Sequence, residues 1–218
     1  MEITNYINND FKPIDSQETI AAVKDFLIDF EFSHFPIIEE GIYIGSISAE
    51  DVETFEEEKT VADYKYTLET FFIRTDALWL EVLEVFAKNH SNLIPVLDEN
   101  NKYVGYYEME DIINFFHQTP FIKEQGVIIK IKKGIIDYSM SQIAQIVESN
   151  NGKLLGLFIS ETDVDSVEIT LKLTSGAINE IIQTFRRYNY EIISEHHEDS
   201  YIANLKERSD YLDKYLNM

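Results

Sequence analysis

Two short stretches of the chain repeat one spacing of residues that could contact a ligand. Residues 45–51 read Gly-Ser-Ile-Ser-Ala-Glu-Asp, and residues 105–111 read Gly-Tyr-Tyr-Glu-Met-Glu-Asp. A hydroxyl such as Ser48 at a helix start lies beside free backbone N–H groups and is suited to contact a phosphate. A carboxylate such as Asp51 accepts hydrogen bonds well from two neighbouring hydroxyl groups. The first stretch therefore carries the side chains of a candidate ligand site.

The same residues also fit a purely structural role. Ser48 and Asp51 have the spacing of a capping box, in which the hydroxyl caps the helix and the acid three residues later accepts the Ser N–H. In the second stretch, Glu108 replaces the hydroxyl, and Glu is a poor N-cap. Its carboxylate would repel a phosphate, so we expect only the first stretch to accept one. For Ser48 and Asp51, ligand contact and helix capping remain alternatives.

Both stretches end a larger repeat of about sixty residues. Residues 35–38 (Phe-Pro-Ile-Ile) align with residues 94–97 (Ile-Pro-Val-Leu), and a polar turn and a second apolar strand follow each. Upstream of each proline, apolar residues recur at the spacing of an amphipathic helix: Ile20, Val23, Leu27 and Phe30 in the first copy, and Leu78, Val82, Val85 and Phe86 in the second. Each copy is therefore predicted to form a helix, two strands and a second helix.

This tandem pattern resembles a pair of cystathionine-beta-synthase (CBS) domains, with residues 1–58 as the first copy and 59–120 as the second. In that family the two copies form a pseudo-symmetric module, a Bateman module. Its two clefts often hold an adenosine compound such as AMP, ATP or S-adenosylmethionine. The family motif runs from a Gly through an apolar residue to a Ser or Thr, which two variable residues separate from an Asp.

The resemblance implies ligand roles for individual residues. Ser48 would contact phosphate and Asp51 would hold the ribose hydroxyls, next to Gly45. The second copy matches at Gly105 and Asp111 and departs from the motif at the position between them. Arg74, just before the second helical pattern, is a candidate phosphate contact, with an ordinary surface salt bridge as the alternative.

A different pattern occupies residues 126–197, where the predicted order is strand, helix, strand, strand, helix, strand. That order is ferredoxin-like and resembles an ACT domain, a small regulatory module that often binds amino acids at dimer interfaces. Bacterial regulators of the acetoin-utilisation type join a CBS pair to such a domain. Members that bind amino acids usually carry an Asp-x-Pro-Gly-like turn, whereas residues 133–139 read Lys-Gly-Ile-Ile-Asp-Tyr-Ser, in which Asp137 and Ser139 could simply cap the helix. Residues 205–218 are predicted to form a docking helix.

Composition limits the remaining function classes. The formal net charge is -22, and residues 1–125 hold 26 acidic against 8 basic residues. So acidic a chain is unsuited to nucleic acids and anionic membranes. The sequence has no cysteine, no secretory leader pattern and no apolar run long enough for a membrane span, so we expect a cytoplasmic protein. The pair His196-His197 would point to opposite faces of a strand, which argues against a metal site.

The sequence contains no Gly-rich phosphate loop and no nucleophile elbow, so we do not expect an enzyme. The predicted fold class is α+β: two CBS repeats and a ferredoxin-like domain. The predicted function is regulatory, with an adenosine-type ligand such as an adenine nucleotide or S-adenosylmethionine near Ser48 and Asp51, and with a homodimer as the expected assembly. The alternative is a degenerate protein that binds no ligand and serves dimerisation or protein interaction.

Overall fold

The structure, a computed structural model, describes residues 3–174 and 176–194. The chain divides into two compact units, with the boundary between Gln118 and Thr119. The predicted helix at 205–218 and the pair His196-His197 lie outside the described residues.

Each repeat in the first unit has the order strand, helix, strand, strand, helix. The first repeat contains β1 (Ile14–Asp15), α1 (Ile20–Asp29), β2 (His34–Glu39), β3 (Ile42–Ser48) and α2 (Ala49–Val52). The second contains β4 (Ile73–Arg74), α3 (Trp79–Asn89), β5 (Leu93–Leu97), β6 (Tyr103–Glu108) and α4 (Met109–His117). Short 3-10 helices span Ile3–Tyr6 and Val61–Thr67. The leading strands β1 and β4 were not predicted, because two residues are too few to show a periodic pattern.

The two repeats form sheets with the same topology. In each sheet the leading strand pairs in parallel with the second strand, which pairs antiparallel with the third, giving the orders β1-β2-β3 and β4-β5-β6. A register shift lies between Ile37 and Ile38 in one sheet and between Val96 and Leu97 in the other. The two repeats are therefore alike in structure as well as in sequence, since even the register shift lies at equivalent positions of the two sheets.

Helices α1 and α3 are slightly shorter than the apolar patterns that predict them. Ile20, Val23 and Leu27 are buried along α1, as their spacing predicts. Phe30, however, is the C-cap of α1 and is 45% exposed, and Leu78 is the N-cap of α3 and is 69% exposed. These two residues continue the apolar spacing without joining the core, because a helix end turns the chain away from the buried face.

The second unit has a ferredoxin-like order of strands and helices. After the short α5 (Pro120–Lys123) come β7 (Val127–Gly134), α6 (Met140–Ser149), β8 (Leu154–Thr162), β9 (Ser166–Leu173), α7 (Ile178–Arg187) and β10 (Glu191–Ile192). The antiparallel sheet has the order β10-β7-β9-β8. Residues along β9 are buried alternately, and the buried ones share a core with α6 and α7. The predicted α+β fold class is confirmed.

Within residues 3–174 and 176–194, no helix combines the length and the apolar character that a membrane span requires.

Candidate ligand-binding site

In the first repeat, β2 and β3 present a polar surface opposite the helix-packed core. His34 lies directly opposite Ser48, and Pro36 lies opposite Ser46. Directly opposed residues of an antiparallel pair project to the same side of a sheet, so these four residues form one surface, which we call the first face. Residues 68–71 run along the free edge of β3, where Ser46 and Glu69 exchange backbone hydrogen bonds of 2.8 and 2.9 Å, and the Glu69 and Phe71 side chains reach His34 on this face.

The second repeat has an equivalent surface with different chemistry. Leu93 lies opposite Glu108, and Pro95 lies opposite Tyr106, and these residues form the second face. Residues 7–11 run along the free edge of β6, through two backbone hydrogen bonds of 2.8 Å between Asn8 and Tyr106. The segment that precedes each repeat thus pairs with the edge strand of the other repeat's sheet. We call residues 7–11 and 68–71 the crossover segments.

The motif glycines lie where the crossover segments approach the sheets. A Cβ atom on Gly45 would come within 2.8 Å of the Leu68 Cβ, and Gly45 has a φ of +146°. A Cβ atom on Gly105 would come within 2.4 Å of the Asn8 carbonyl oxygen. Non-bonded heavy atoms do not approach each other this closely in proteins. A side chain at either position would therefore displace the crossover segment. The repeated Gly is therefore required by the fold, whether or not a ligand is bound.

Ser48 caps α2, but the complete capping box is absent. Its Oγ accepts a hydrogen bond from the Glu50 N–H at 3.2 Å, and Ser48 is 7% exposed. Among the described residues, the Asp51 carboxylate accepts no hydrogen bond, including the reciprocal bond from the Ser48 N–H. Helix capping thus accounts for Ser48. The Asp51 carboxylate lies in the first turn of α2 and is partly exposed, and it has no hydrogen-bond partner among the described residues.

His34 and Glu69 belong to the same site, and they were missed in the sequence. The His34 ring is buried, its Nε2 lies 3.5 Å from Glu69 Oε1, and its Nδ1 lies 3.1 Å from Ser33 Oγ. The Phe71 ring contacts it edge-on at 5.4 Å between centroids. The only available signal was the repeat itself, since the position that holds His34 holds Leu93 in the second copy.

Bulky and acidic side chains occupy the second face. Tyr106 is fully buried and packs edge-on against Phe32 and Phe35 of the first repeat. Burial raises the pKa of Tyr106 to about 12. Its counterpart in the first repeat is the much smaller Ser46. The large ring takes up space that the first face leaves to smaller, polar side chains.

Glu108 is held in an unfavourable electrostatic environment. Burial, followed by repulsion from Asp111, raises the pKa of the Glu108 carboxyl, while a hydrogen bond from Asn8 Nδ2 at 3.1 Å partly offsets both. Asp111 lines a polar cavity of about 300 Å³ together with residues 5–10. Two acids at one helix start make this surface unsuited to a phosphate.

Arg74 contacts the β5–β6 hairpin. Its guanidinium donates hydrogen bonds to the Asp98 carbonyl and, at 2.6 Å, to Asn101 Oδ1. The guanidinium also lies over the Phe72 ring, 5.0 Å from its centroid. To reach a ligand phosphate, Arg74 would have to give up these contacts.

A reciprocal contact between equivalent residues joins the two repeats. The Ser33 N–H donates to Asn92 Oδ1 at 2.9 Å, and the Asn92 N–H donates to Ser33 Oγ at 2.9 Å. Asn92 Nδ2 also donates to the Glu31 carbonyl at 2.8 Å. Ser33 precedes the first face and Asn92 precedes the second, so this contact marks the centre of the pseudo-symmetric pair.

Two further observations bear on ligand chemistry. A groove of about 270 Å³ borders α1 and α2, and its lining includes Ala49 and Val52 but neither Ser48 nor Asp51. Within the described residues, no group of three or more His, Asp or Glu side chains is arranged to hold a metal ion.

A family model for the CBS domain matches residues 61–118. The first repeat has the same element order, sheet topology and register shift, so the first unit is a pair of CBS-type repeats. The resemblance to a CBS pair is thus confirmed. The ACT-like interpretation of the second unit and the likeness to acetoin-utilisation regulators stay predictions.

Similar proteins have been found by sequence and by structure. The chain is 23% identical over 136 residues to the uncharacterized protein MJ0188 of Methanocaldococcus jannaschii, covering 62% of this chain and about half (51%) of that relative. A CBS domain pair/ACT domain protein of Thermotoga maritima aligns with a TM-score of 0.48 and 18% identity, over 53% of this chain and 96% of the other. The CBS pair of protein MJ0100, solved with 5'-methylthioadenosine and S-adenosyl-L-methionine, aligns with a TM-score of 0.44 and 24% identity, over 53% and 95%.

Proposed function

We propose that this protein is a non-enzymatic regulator that senses an adenosine-type ligand at the first face. The observation that carries the proposal is Asp51, whose carboxylate accepts no hydrogen bond among the described residues although it stands at a helix start. Ser48 and the first-turn N–H groups of α2 lie beside it. A ribose would supply the two hydroxyl donors that Asp51 lacks.

The composition of the first face favours an uncharged or weakly anionic ligand. His34 Nε2 is a potential hydrogen-bond donor to a phosphate, but Glu69 Oε1 lies 3.5 Å from it. A carboxylate at that distance competes for the same ring nitrogen and repels a phosphate. We therefore propose that a nucleoside or a monophosphate binds more tightly than a triphosphate.

Ligand binding would be relayed through the crossover segment. Residues 68–71 pair with the edge of β3 and continue directly into β4 of the second repeat. A ligand that contacts Ser48 and this segment together would favour one arrangement of the two repeats over others. The change would then be transmitted through a homodimer or a partner protein. In this proposal Gly45 leaves room for residues 68–71. Asp111 and Arg74 contribute less to ligand binding than Ser48 and Asp51 do.

A thermal-shift panel tests the proposal. Adenosine, AMP, ATP, 5'-methylthioadenosine and S-adenosylmethionine would each be added to the wild type and to the Asp51→Asn and Asp111→Asn variants. A ligand at a hundred times its Kd stabilises the protein by about 2.7 kcal/mol, or roughly 5–10 °C for a chain of this length. We expect a shift that Asp51→Asn abolishes and Asp111→Asn, the matched change at the equivalent position, retains.

Either of two results would contradict the proposal. A shift that survives in Asp51→Asn would place the ligand elsewhere, and the absence of any shift would favour the alternative function. That alternative is a ligand-free dimerisation or interaction module, and the observation that favours it is the filled second face, where Tyr106 is fully buried.

A further inference from the structure

One face of the second unit's sheet packs against α6 and α7. Alternate residues of β7 and β9 are buried in the core that these helices share, so the residues between them lie on the opposite face. We call this opposite surface the open face. The residues that β7 and β9 contribute to it are Ile128, Lys130, Lys132, Glu168, Thr170 and Lys172.

Apolar side chains border the open face on two sides. Ile193 lies beside Lys130, since its N–H donates to the Lys130 carbonyl at 2.9 Å. Thr170 lies opposite Lys130, and Phe158 lies opposite Thr170, so one row of residues crosses all four strands. Phe158 is 49% exposed, Ile193 38%, and Ile128 57%. The small Thr170 therefore lies between two apolar borders that run parallel to the strands.

The lysines of the open face already have partners. Lys130 Nζ lies 3.2 Å from Glu168 Oε2, and Lys132 Nζ lies 3.1 Å from Asp163 Oδ2. Lys172 Nζ donates to a backbone carbonyl of α5 at 3.0 Å. The ammonium groups are held by these contacts, while the lysine stems add apolar surface around Thr170. The open face thus suits an apolar segment of low net charge.

Residues 201–218 lie outside the described residues, and their sequence has these properties. Leu205, Leu212 and Leu216 recur at spacings of seven and four residues, which places them on one stripe of a helix. Glu207 and Lys214 fall on the opposite side of the same helix. The segment contains three acidic and three basic residues, so its charges cancel. Because an isolated helix of this length is marginal in water, the stripe requires an apolar surface to pack against.

The described chain ends at the border of the open face. Ser194 Oγ accepts the Lys130 N–H at 3.2 Å, so residue 195 begins beside β7. Residues 195–200 span up to about 20 Å when extended, whereas the four strands are about 14 Å across. A helix over residues 201–218 would be about 27 Å long, close to the length of the eight-residue strands β7 and β9.

We propose that residues 201–218 form a helix that lies along the open face of the same chain. Its leucine stripe packs over Thr170, between Phe158 on one border and Ile128 with Ile193 on the other. The sheet of the second unit is then covered on both faces. This arrangement does not depend on ligand binding at the first face.

Thiol labelling in the full chain tests the proposal. The protein has no cysteine, so Ile128→Cys and, separately, Phe158→Cys each provide a single thiol on one border of the open face. Each is combined with the tail change Leu205→Gln/Leu212→Gln, which removes the apolar stripe. The matched control is Glu207→Gln/Lys214→Gln, which alters the opposite side of the helix and likewise leaves the net charge unchanged.

We expect a neutral maleimide to label both thiols at least about tenfold faster with the leucine change than with the control change, because docking of the helix shields them. Val164→Cys, on a fully exposed residue of the β8–β9 turn, should be labelled at equal rates in the two backgrounds. Circular dichroism of each variant verifies that the fold is retained.

Two results would overturn the proposal. Equal labelling rates in the two backgrounds at both border positions would mean that the face is uncovered or that another surface covers it. Protection that is lost when the protein is diluted about tenfold would show that a second copy supplies the cover.

Discussion

At the scale of single residues, we expect Glu108 to lower the free energy of unfolding at neutral pH. Its carboxylate is partly buried near Asp111, and both effects raise its pKa above the ordinary value. A raised pKa means that the folded state is penalised when the carboxyl is ionised, and that the penalty disappears once it is protonated in both states. Glu108→Gln, which keeps an acceptor for Asn8 Nδ2, should therefore raise the melting temperature at pH 7. The gain should shrink as the pH falls from the raised pKa to below the ordinary Glu value.

The matched control for this prediction is Glu110→Gln. Glu110 lies in the same helical turn but is exposed, so the same charge removal should change stability little. Melting temperatures of both variants between pH 4 and 8 provide the comparison. A gain that is equal in the two variants would mean that net charge, and not the environment of Glu108, is responsible.

At the scale of elements, the contact between Ser33 and Asn92 holds the two repeats together. Asn92→Ala removes the acceptor of the Ser33 N–H and the donor to the Glu31 carbonyl, and leaves the partly buried Ser33 N–H unpaired. We expect a loss of about 1–3 kcal/mol in the free energy of unfolding, measured by urea denaturation. Asn89→Ala is the control, because the Asn89 Nδ2 bond in the described part of the chain stays within α3, to the Val85 carbonyl at 2.7 Å. Equal losses in the two variants would contradict a special role for the contact between repeats.

Local patterns predicted most of the elements, whereas contacts between distant segments could not be predicted. The helices α1 and α3 and the cap at Ser48 follow from spacings of three or four residues, which the sequence displays directly. The pairing of Asn8 with Tyr106 joins residues about a hundred positions apart, and no local signal records it. For the same reason His34 was missed, since it reaches Ser48 only through the register of β2 and β3. The candidate site was thus half predictable: the motif residues were visible, and the residues brought by neighbouring strands were not.

At the scale of the whole molecule, uneven charge predicts a response to salt. Residues 1–118 carry 25 acidic and 7 basic side chains, so most acids in the first unit have no cation to offset them. Added salt screens repulsion between exposed charges, whereas the few ion pairs found there, such as Lys24 with Glu53 at 3.0 Å, lie near the surface and contribute little.

Trp79 is the only tryptophan, so its fluorescence reports unfolding of the first unit alone. We expect the fluorescence midpoint to rise by a few degrees, roughly 1 kcal/mol, between 0.02 and 0.3 M NaCl. Choline chloride at equal ionic strength should reproduce the rise, because screening does not depend on the identity of the cation. A midpoint that stays constant or falls with salt would show that repulsion among these acids does not limit stability, and a rise with NaCl alone would indicate specific sodium binding.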